Sequence, residues 1–172
     1  MTTLKLRFPV SQLLSLVAKN TDTGHLRLQN QIGPASCKRG HLTRDEFLEL
    51  CAWKSRRTRP LCESNTASFV EEVTAIALAA KNEQVRIQVP MLLRGVNWPT
   101  SSVILHFCSK DPYPILDFRA LWSLSIDQPP PYTFGFWWEY TEFCRALAAT
   151  HSLTMRELDM ALWQYSKENQ NA

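Results

Sequence analysis

Apolar residues recur along this chain every three to four positions, in stretches separated by short polar breaks rich in glycine and proline. "PVSQLLSLVAKN" (9–20) has the length and pattern of a short helix. "LTRDEFLELCAWKSRR" opens with Thr43 and Glu46 at capping-box spacing, where each side chain bonds the other residue's otherwise unbonded amide. Phe47, Leu50 and Cys51 then share one face. "SNTASFVEEVTAIALAAKN" predicts a helix with an apolar stripe of Phe69, Val73, Ile76 and Ala80. Residues 20–41 are polar and mixed, interrupted by Gly24, Gly33, Pro34 and Gly40, and read as a loop with room for a short strand at "HLRLQ". "EQVRIQVPMLL" supports two readings. Val85, Ile87 and Val89 alternate as in a strand, whereas Pro90 suits the first turn of a short helix.

Two helices close the pattern. "FWWEYTEFCRALAATH" carries Trp137, Tyr140, Cys144 and Leu147 on one face. "LTMRELDMALWQYSKEN" opens with a second capping box, Thr154 with Glu157, and repeats Leu158, Leu162 and Tyr165. A proline-rich loop, "SIDQPPPYTFG", precedes them. Clear strands are few, so the expected class is all-α or mainly α, in one helical domain over residues 1–172, long enough to bury a core.

Composition narrows the function classes. No apolar run reaches the roughly 20 residues that cross a bilayer, and "MTTLKLRFPV" lacks the apolar core of a signal peptide. The cysteines (Cys37, Cys51, Cys62, Cys108, Cys144) are odd in number and scattered, with no CxxC pair. They suggest neither a disulfide framework nor a zinc or iron–sulfur site, and a reducing cytoplasm fits best. The net charge of +3 conceals an asymmetry. Residues 1–60 carry +7 (11 − 4), and residues 61–172 carry −4 (8 − 12). The densest basic stretch, "KSRRTR" (Lys54–Arg59), attracts polyanions, nucleic acid above all, unless it is only a solvated face.

The stretch "LLRGVNWPTSSVILHF" (92–107) stops one apolar segment at Arg94, turns through Gly95, Val96 and Asn97, and restarts at Pro99. Glycine adopts positive φ without steric cost, and asparagine is the next most tolerant residue. Proline suits a first helical turn because its missing N–H has no helical partner there. Backbone amides of the turn and of the new helix then point the same way. That is the geometry of a phosphate site made from backbone dipoles, which grips a strand without reading its sequence. An ordinary corner between two core helices has the same pattern.

Asp117 lies 22 residues after Gly95 (117 − 95), between the extended "YPIL" and the helical "FRALWSL". Over Val89–Ile126 the chain resembles the helix–hairpin–helix DNA glycosylases, the superfamily of endonuclease III and the alkyladenine and oxoguanine glycosylases. Their pattern is a "LPGVG" hairpin, a small-residue helix, and "P-x-D" opening the next helix. Here "LRGV" stands for the hairpin and "ILD" for the aspartate. The resemblance implies a partner, duplex DNA with a damaged or modified base, and a catalytic Asp117 that stabilises positive charge on the sugar as the N-glycosidic bond breaks. It implies DNA contacts from Arg94, Gly95, Val96, Asn97 and Thr100, joined by Lys54. Trp53 and Trp98 become candidates to face an extruded base, by stacking. No cofactor or metal is implied.

The departures from that pattern carry information. The position of the lyase lysine in bifunctional members is Pro99 here, so a Schiff-base step from it is not expected. Asn97 replaces the second hairpin glycine, Arg94 replaces the usual proline, and the iron–sulfur cysteines are missing. Each site residue also has an ordinary reading: Asp117 as a helix cap worth about 1 kcal/mol, Trp53 as core, Lys54 and Arg94 as solvated charges. The alternatives to a monofunctional glycosylase are a non-catalytic DNA-binding module and an interaction protein that keeps only the fold.

Overall fold

The computed structural model describes residues 4–170. Its helices, in chain order, are α1 (Leu13–Lys19), α2 (Gly33–Arg39), α3 (Arg44–Lys54), α4 (Arg59–Glu63), α5 (Ala67–Ala79), α6 (Glu83–Gln88), α7 (Trp98–Cys108), α8 (Phe118–Ser123), α9 (Phe134–Thr150) and α10 (Met155–Asn169). Short 3-10 and π segments connect some of them, and no strand occurs among the described residues. The protein is all-α, as the apolar periodicity predicts. The chain groups into two compact units, one of residues 23–112 and one of residues 4–22 with 113–170.

In the unit of residues 23–112, α7 is the central helix. Every residue from Thr100 to Leu105, with Phe107 and Cys108, is buried. Its small residues allow close neighbours: Ser101 Oγ donates to the Ile87 carbonyl at 2.5 Å. A Cβ added to Gly33 would overlap the Phe107 carbonyl oxygen, so only glycine lets α2 lie so close to α7. The capping box at Thr43 and Glu46 forms as the spacing predicts.

Two expectations change here. The segment containing "HLRLQ" is helical, with a π turn over Leu28–Ile32 running directly into α2. Its buried residues are His25, Leu28, Ile32, Gly33 and Ser36, a helical spacing that the intervening Gln and Asn obscure, while Leu26 is exposed. The wider π turn accommodates Pro34, which has no N–H and whose ring crowds the preceding turn. In α5 the buried face is Val70, Val73, Thr74 and Ala77, not the stripe through Phe69 and Ile76, which are 41% and 48% exposed. Thr74 earns its buried place by accepting the Leu42 amide at 3.0 Å and donating to the Val70 carbonyl at 2.8 Å. The ambiguous "EQVRIQVPMLL" resolves as α6 followed by a 3-10 turn, Val89–Leu92, with Pro90 in its first turn.

In the other unit, α10 packs against α1 and α8, burying Leu13 and Leu16 with Leu158 and Leu162. Residues 5–8 lace onto the end of α8: Arg7 N–H donates to the Ser123 carbonyl (2.9 Å), its guanidinium lies 4.3 Å from the Trp122 ring centre, and Phe8 packs on Tyr165. The second capping box, Thr154 with Glu157, is present. On α9, Trp137, Tyr140 and Cys144 are buried as predicted, and Ala148 rather than the half-buried Leu147 completes the face.

Candidate functional site

The turn of residues 93–96 is closed by Val96 N–H donating to the Leu93 carbonyl at 3.1 Å. Gly95, third of its four residues, has φ +86°, a value other residues adopt only with strain. Asn97 is the N-cap of α7, and its side chain accepts the Thr100 amide at 3.2 Å. Pro99 stands second in the helix, where its missing N–H again costs nothing. Thr100 is buried and its amide is taken. The donors this turn can offer a phosphate are therefore the amides of Gly95, Asn97 and Trp98.

A residue that the sequence reading missed holds this turn in place. Asn65, 4% exposed, donates through Nδ2 to the carbonyls of Arg94 (2.9 Å) and Cys62 (3.0 Å) and accepts the Arg94 N–H through Oδ1 (2.9 Å). The amide thus pairs with the Arg94 backbone much as a neighbouring strand does and ties the turn to α4. Contact is close: a Cβ on Gly95 would lie 2.6 Å from Cys62 Sγ and 3.2 Å from Leu61 Cβ. Arg59 is the first residue of α4, so the basic segment runs directly into the helix that lies behind Gly95. Arg56 and Arg57 are exposed, and Arg59 pairs with Glu63 at 2.7 Å. Lys54 and Trp53 end α3, both half-buried, and the Trp53 ring stands edge-on to Phe107 at 5.5 Å, so part of that tryptophan is core. Trp98 is half-buried at the first position of α7. Asn65 had one sequence signal, its place just before the Thr66 cap of α5, but nothing local announces a partner at Arg94.

Asp117 belongs to the other unit. It is the N-cap of α8, with extended backbone, and its Oδ1 accepts the Arg119 N–H at 2.9 Å. The residues leading to it are anchored on α9. Tyr113, Ile115 and Leu116 are buried, Tyr113 stacks on Trp137 at 5.8 Å, and Tyr140 donates its hydroxyl to the Ile115 carbonyl at 2.8 Å. Burial first, and then the negative charge of Asp117, push the Tyr132 phenol up. Beyond Asp117 the Arg119 guanidinium lies over Phe118 (5.3 Å) and Trp163 (5.6 Å), and the Lys167 ammonium lies 5.3 Å from the Trp163 ring centre. The carboxylate therefore sits at a mixed aromatic and cationic surface, half-buried itself.

A cavity of about 230 Å³ lies elsewhere in the first unit, at the ends of α2, α5 and α7, with Arg86, Lys110 and Asp111 in its wall. None of the residues proposed from the sequence for catalysis, DNA contact or base stacking lines it. Among the described residues no group of three or more His, Cys, Asp or Glu side chains is placed to hold a metal ion, and no helix is long and apolar enough to cross a membrane.

No protein-family model matches the chain, and neither does any curated protein. The all-α fold is similar to that of a solved DNA glycosylase/lyase. The similar structure is the Methanocaldococcus jannaschii 8-oxoguanine glycosylase/lyase in complex with a 15mer DNA containing 8-oxoguanine, with a TM-score of 0.51 and 21% identity over 95% of this chain and 82% of that one. At that identity the likeness is one of fold.

Proposed function

We propose that this protein is a monofunctional DNA glycosylase that removes a damaged or modified base and leaves an intact abasic site. Its turn and basic segment hold the phosphate backbone of duplex DNA. The target nucleotide leaves the stack, and the Asp117 carboxylate stabilises the oxocarbenium-like sugar and orients or deprotonates the attacking water. The observation that carries this reading is the fold likeness, over 95% of the chain, to a glycosylase/lyase solved with its DNA. The Asn65 clamp on the turn supports it. Pro99, where the resemblance would put the lyase lysine, supports hydrolysis without strand cleavage.

The test is excision from a panel of duplexes, each with one modified base, beginning with 8-oxoguanine because the similar structure holds it. Expected is a strand that breaks only after alkali treatment, and no adduct trapped by borohydride. Asp117→Asn keeps the cap, since asparagine caps about as well as aspartate, and removes the charge, so excision falls by orders of magnitude at nearly unchanged stability. A borohydride-trapped complex refutes the monofunctional reading. Salt-sensitive DNA binding with no excision on any lesion supports the second reading, a binding module, which the cap contact of Asp117 with the Arg119 amide favours.

A further inference from the structure

The proline-rich loop before α9 has no part in the function proposed above. Pro129, Pro130 and Pro131 are consecutive, and residues 129–133 form no helix or turn. Each proline ring fixes its own φ at about −65° and drives the residue before it to an extended ψ. Gln128, Pro129 and Pro130 are thereby restricted to polyproline II angles, and Pro131 has the matching φ. Both ends are tied. Asp127 Oδ1 accepts from Arg7 Nη2 at 2.7 Å, and Thr133 caps α9 by accepting the Phe136 amide at 3.3 Å. Tyr132 stacks on Phe136 at 6.0 Å. Between these ties Gln128, Pro129 and Pro131 are exposed. The backbone of residues 128–132 makes no hydrogen bond among the described residues. Proline has no N–H, so the segment presents carbonyl acceptors and apolar rings to its surroundings.

Groups of the opposite kind stand at the start of α9. Phe134 and Trp138, one helical turn apart, are both half-buried, and their rings stack at 6.3 Å with 19° between the planes. Trp138 Nε1 has no acceptor among the described residues, although an indole N–H at a packed surface ordinarily finds one. Flat aromatic faces with an N–H at their edge are what a polyproline II segment docks on. The loop thus lacks donors and the indole lacks an acceptor, and the two are not joined within one chain. A second copy meets both needs. Related by a twofold axis, each copy brings its loop to the other's rings, and the same contact is made twice.

We propose that two copies of this chain associate through this face, the Pro129–Pro131 segment of each seated on the Phe134 and Trp138 rings of the other, with the Trp138 indole donating to a carbonyl of the segment. The prolines hold the loop in its docking conformation beforehand, so little chain freedom is lost on contact. The face is two short segments per copy, which puts the association in the small, transient class of interfaces.

The association does not rest on the glycosylase reading, and the experiment uses the full chain without DNA. Sedimentation equilibrium from about 10 μM to 1 mM, the range of weak affinities, should show monomer in exchange with dimer. Trp138→Phe keeps a ring and removes one N–H from each of the two contacts, so it should weaken the dimer by roughly 30-fold. Pro129→Ala combined with Pro131→Ala frees the segment and should weaken it as well. Both proline positions are exposed, so this variant carries the test should Trp138→Phe fold poorly. The twofold arrangement makes a sharper demand. A fluorescently labelled Trp138→Phe chain supplies an intact segment, and the double proline variant supplies an intact indole. Mixed, they regain one of the two contacts and should pair more tightly than either variant pairs with itself. Wild type that stays monomeric to the top of the range overturns the proposal, and so does a dimer that both variants leave intact. A mixture no tighter than its components also overturns it. An SH3 domain that binds the loop of a monomeric wild type assigns the segment to an outside partner and refutes self-association.

Discussion

Asn65→Ala is the perturbation that isolates the turn. It removes one side chain that makes hydrogen bonds of 2.9, 2.9 and 3.0 Å to the Arg94 backbone and the Cys62 carbonyl. Each such bond has a net worth of about 0.5–1.5 kcal/mol. Water can reach the Arg94 end, where the side chain is exposed, so the loss falls in the lower half of that sum, about 2 kcal/mol. Were all of it expressed as a lower population of the binding-competent turn, duplex affinity would drop by roughly 30-fold.

The assay is duplex binding at low salt alongside urea denaturation and amide exchange at Arg94. Thr66→Ala is the matched control. Thr66 is the adjacent N-cap, accepting the Phe69 amide at 3.4 Å, and its loss costs about 1 kcal/mol without touching the turn. Asn65→Ala should weaken binding well beyond what Thr66→Ala does and should speed exchange at the Arg94 amide. Wild-type affinity and wild-type exchange in Asn65→Ala would show that the clamp does not hold the turn and that phosphate contact lies elsewhere.

Three further outcomes test other parts of the structure. Replacing Arg56 and Arg57 together by alanine should lower duplex affinity for every sequence alike and reduce the slope of log affinity against log salt by about 2, near 0.9 for each lost phosphate contact; titration of binding from low to moderate salt reads this directly. Gly95→Ala meets both a positive φ and the Cys62 sulfur, so it should destabilise by more than Gly40→Ala, which has a positive φ but open space, in urea melts of the two variants. The Glu157 carboxyl is held below its usual range by its bond to the Thr154 amide. Its contribution is therefore full above the unfolded value and disappears as pH falls through the folded one, so Glu157→Gln should lower stability at neutral pH and converge on wild type in acid, flattening the acid limb of the urea-melt stability profile.

The elements that were legible in the sequence are those whose cause is local. Both capping boxes, the positive φ of Gly95, the cap at Asp117 and the buried face of α9 follow from residue types at fixed spacing. The segment around Leu28 was not legible, because its period is carried by His25 and Ser36 as well as by aliphatic residues and is widened by a π turn. The α5 face was misassigned for a related reason. Thr74 looks polar in sequence, but its hydroxyl is satisfied within the fold, whereas Phe69 and Ile76 look apolar and stay exposed. The candidate site was half legible. Gly95, Asp117 and the basic segment stand out one by one, but Asn65 and Cys62 acquire meaning only when α4 folds back against residue 95. That contact spans some thirty positions, and no short-range pattern reports it.

The two readings of Asp117 are compatible, and the capping geometry explains why. A carboxylate offers about four lone-pair positions, and the Arg119 amide takes one of them at Oδ1. That bond fixes the side chain, while Tyr140, donating to the Ile115 carbonyl from the rigid face of α9, fixes the backbone two residues before it. A group that must stabilise developing charge gains from being held still before the reaction, since no reorganisation is then needed in the transition state. Capping is thus the device by which a catalytic aspartate can be positioned at this place in the fold. A stability change in Asp117→Ala is no argument against catalysis; only the charge-specific comparison with Asp117→Asn separates the two roles.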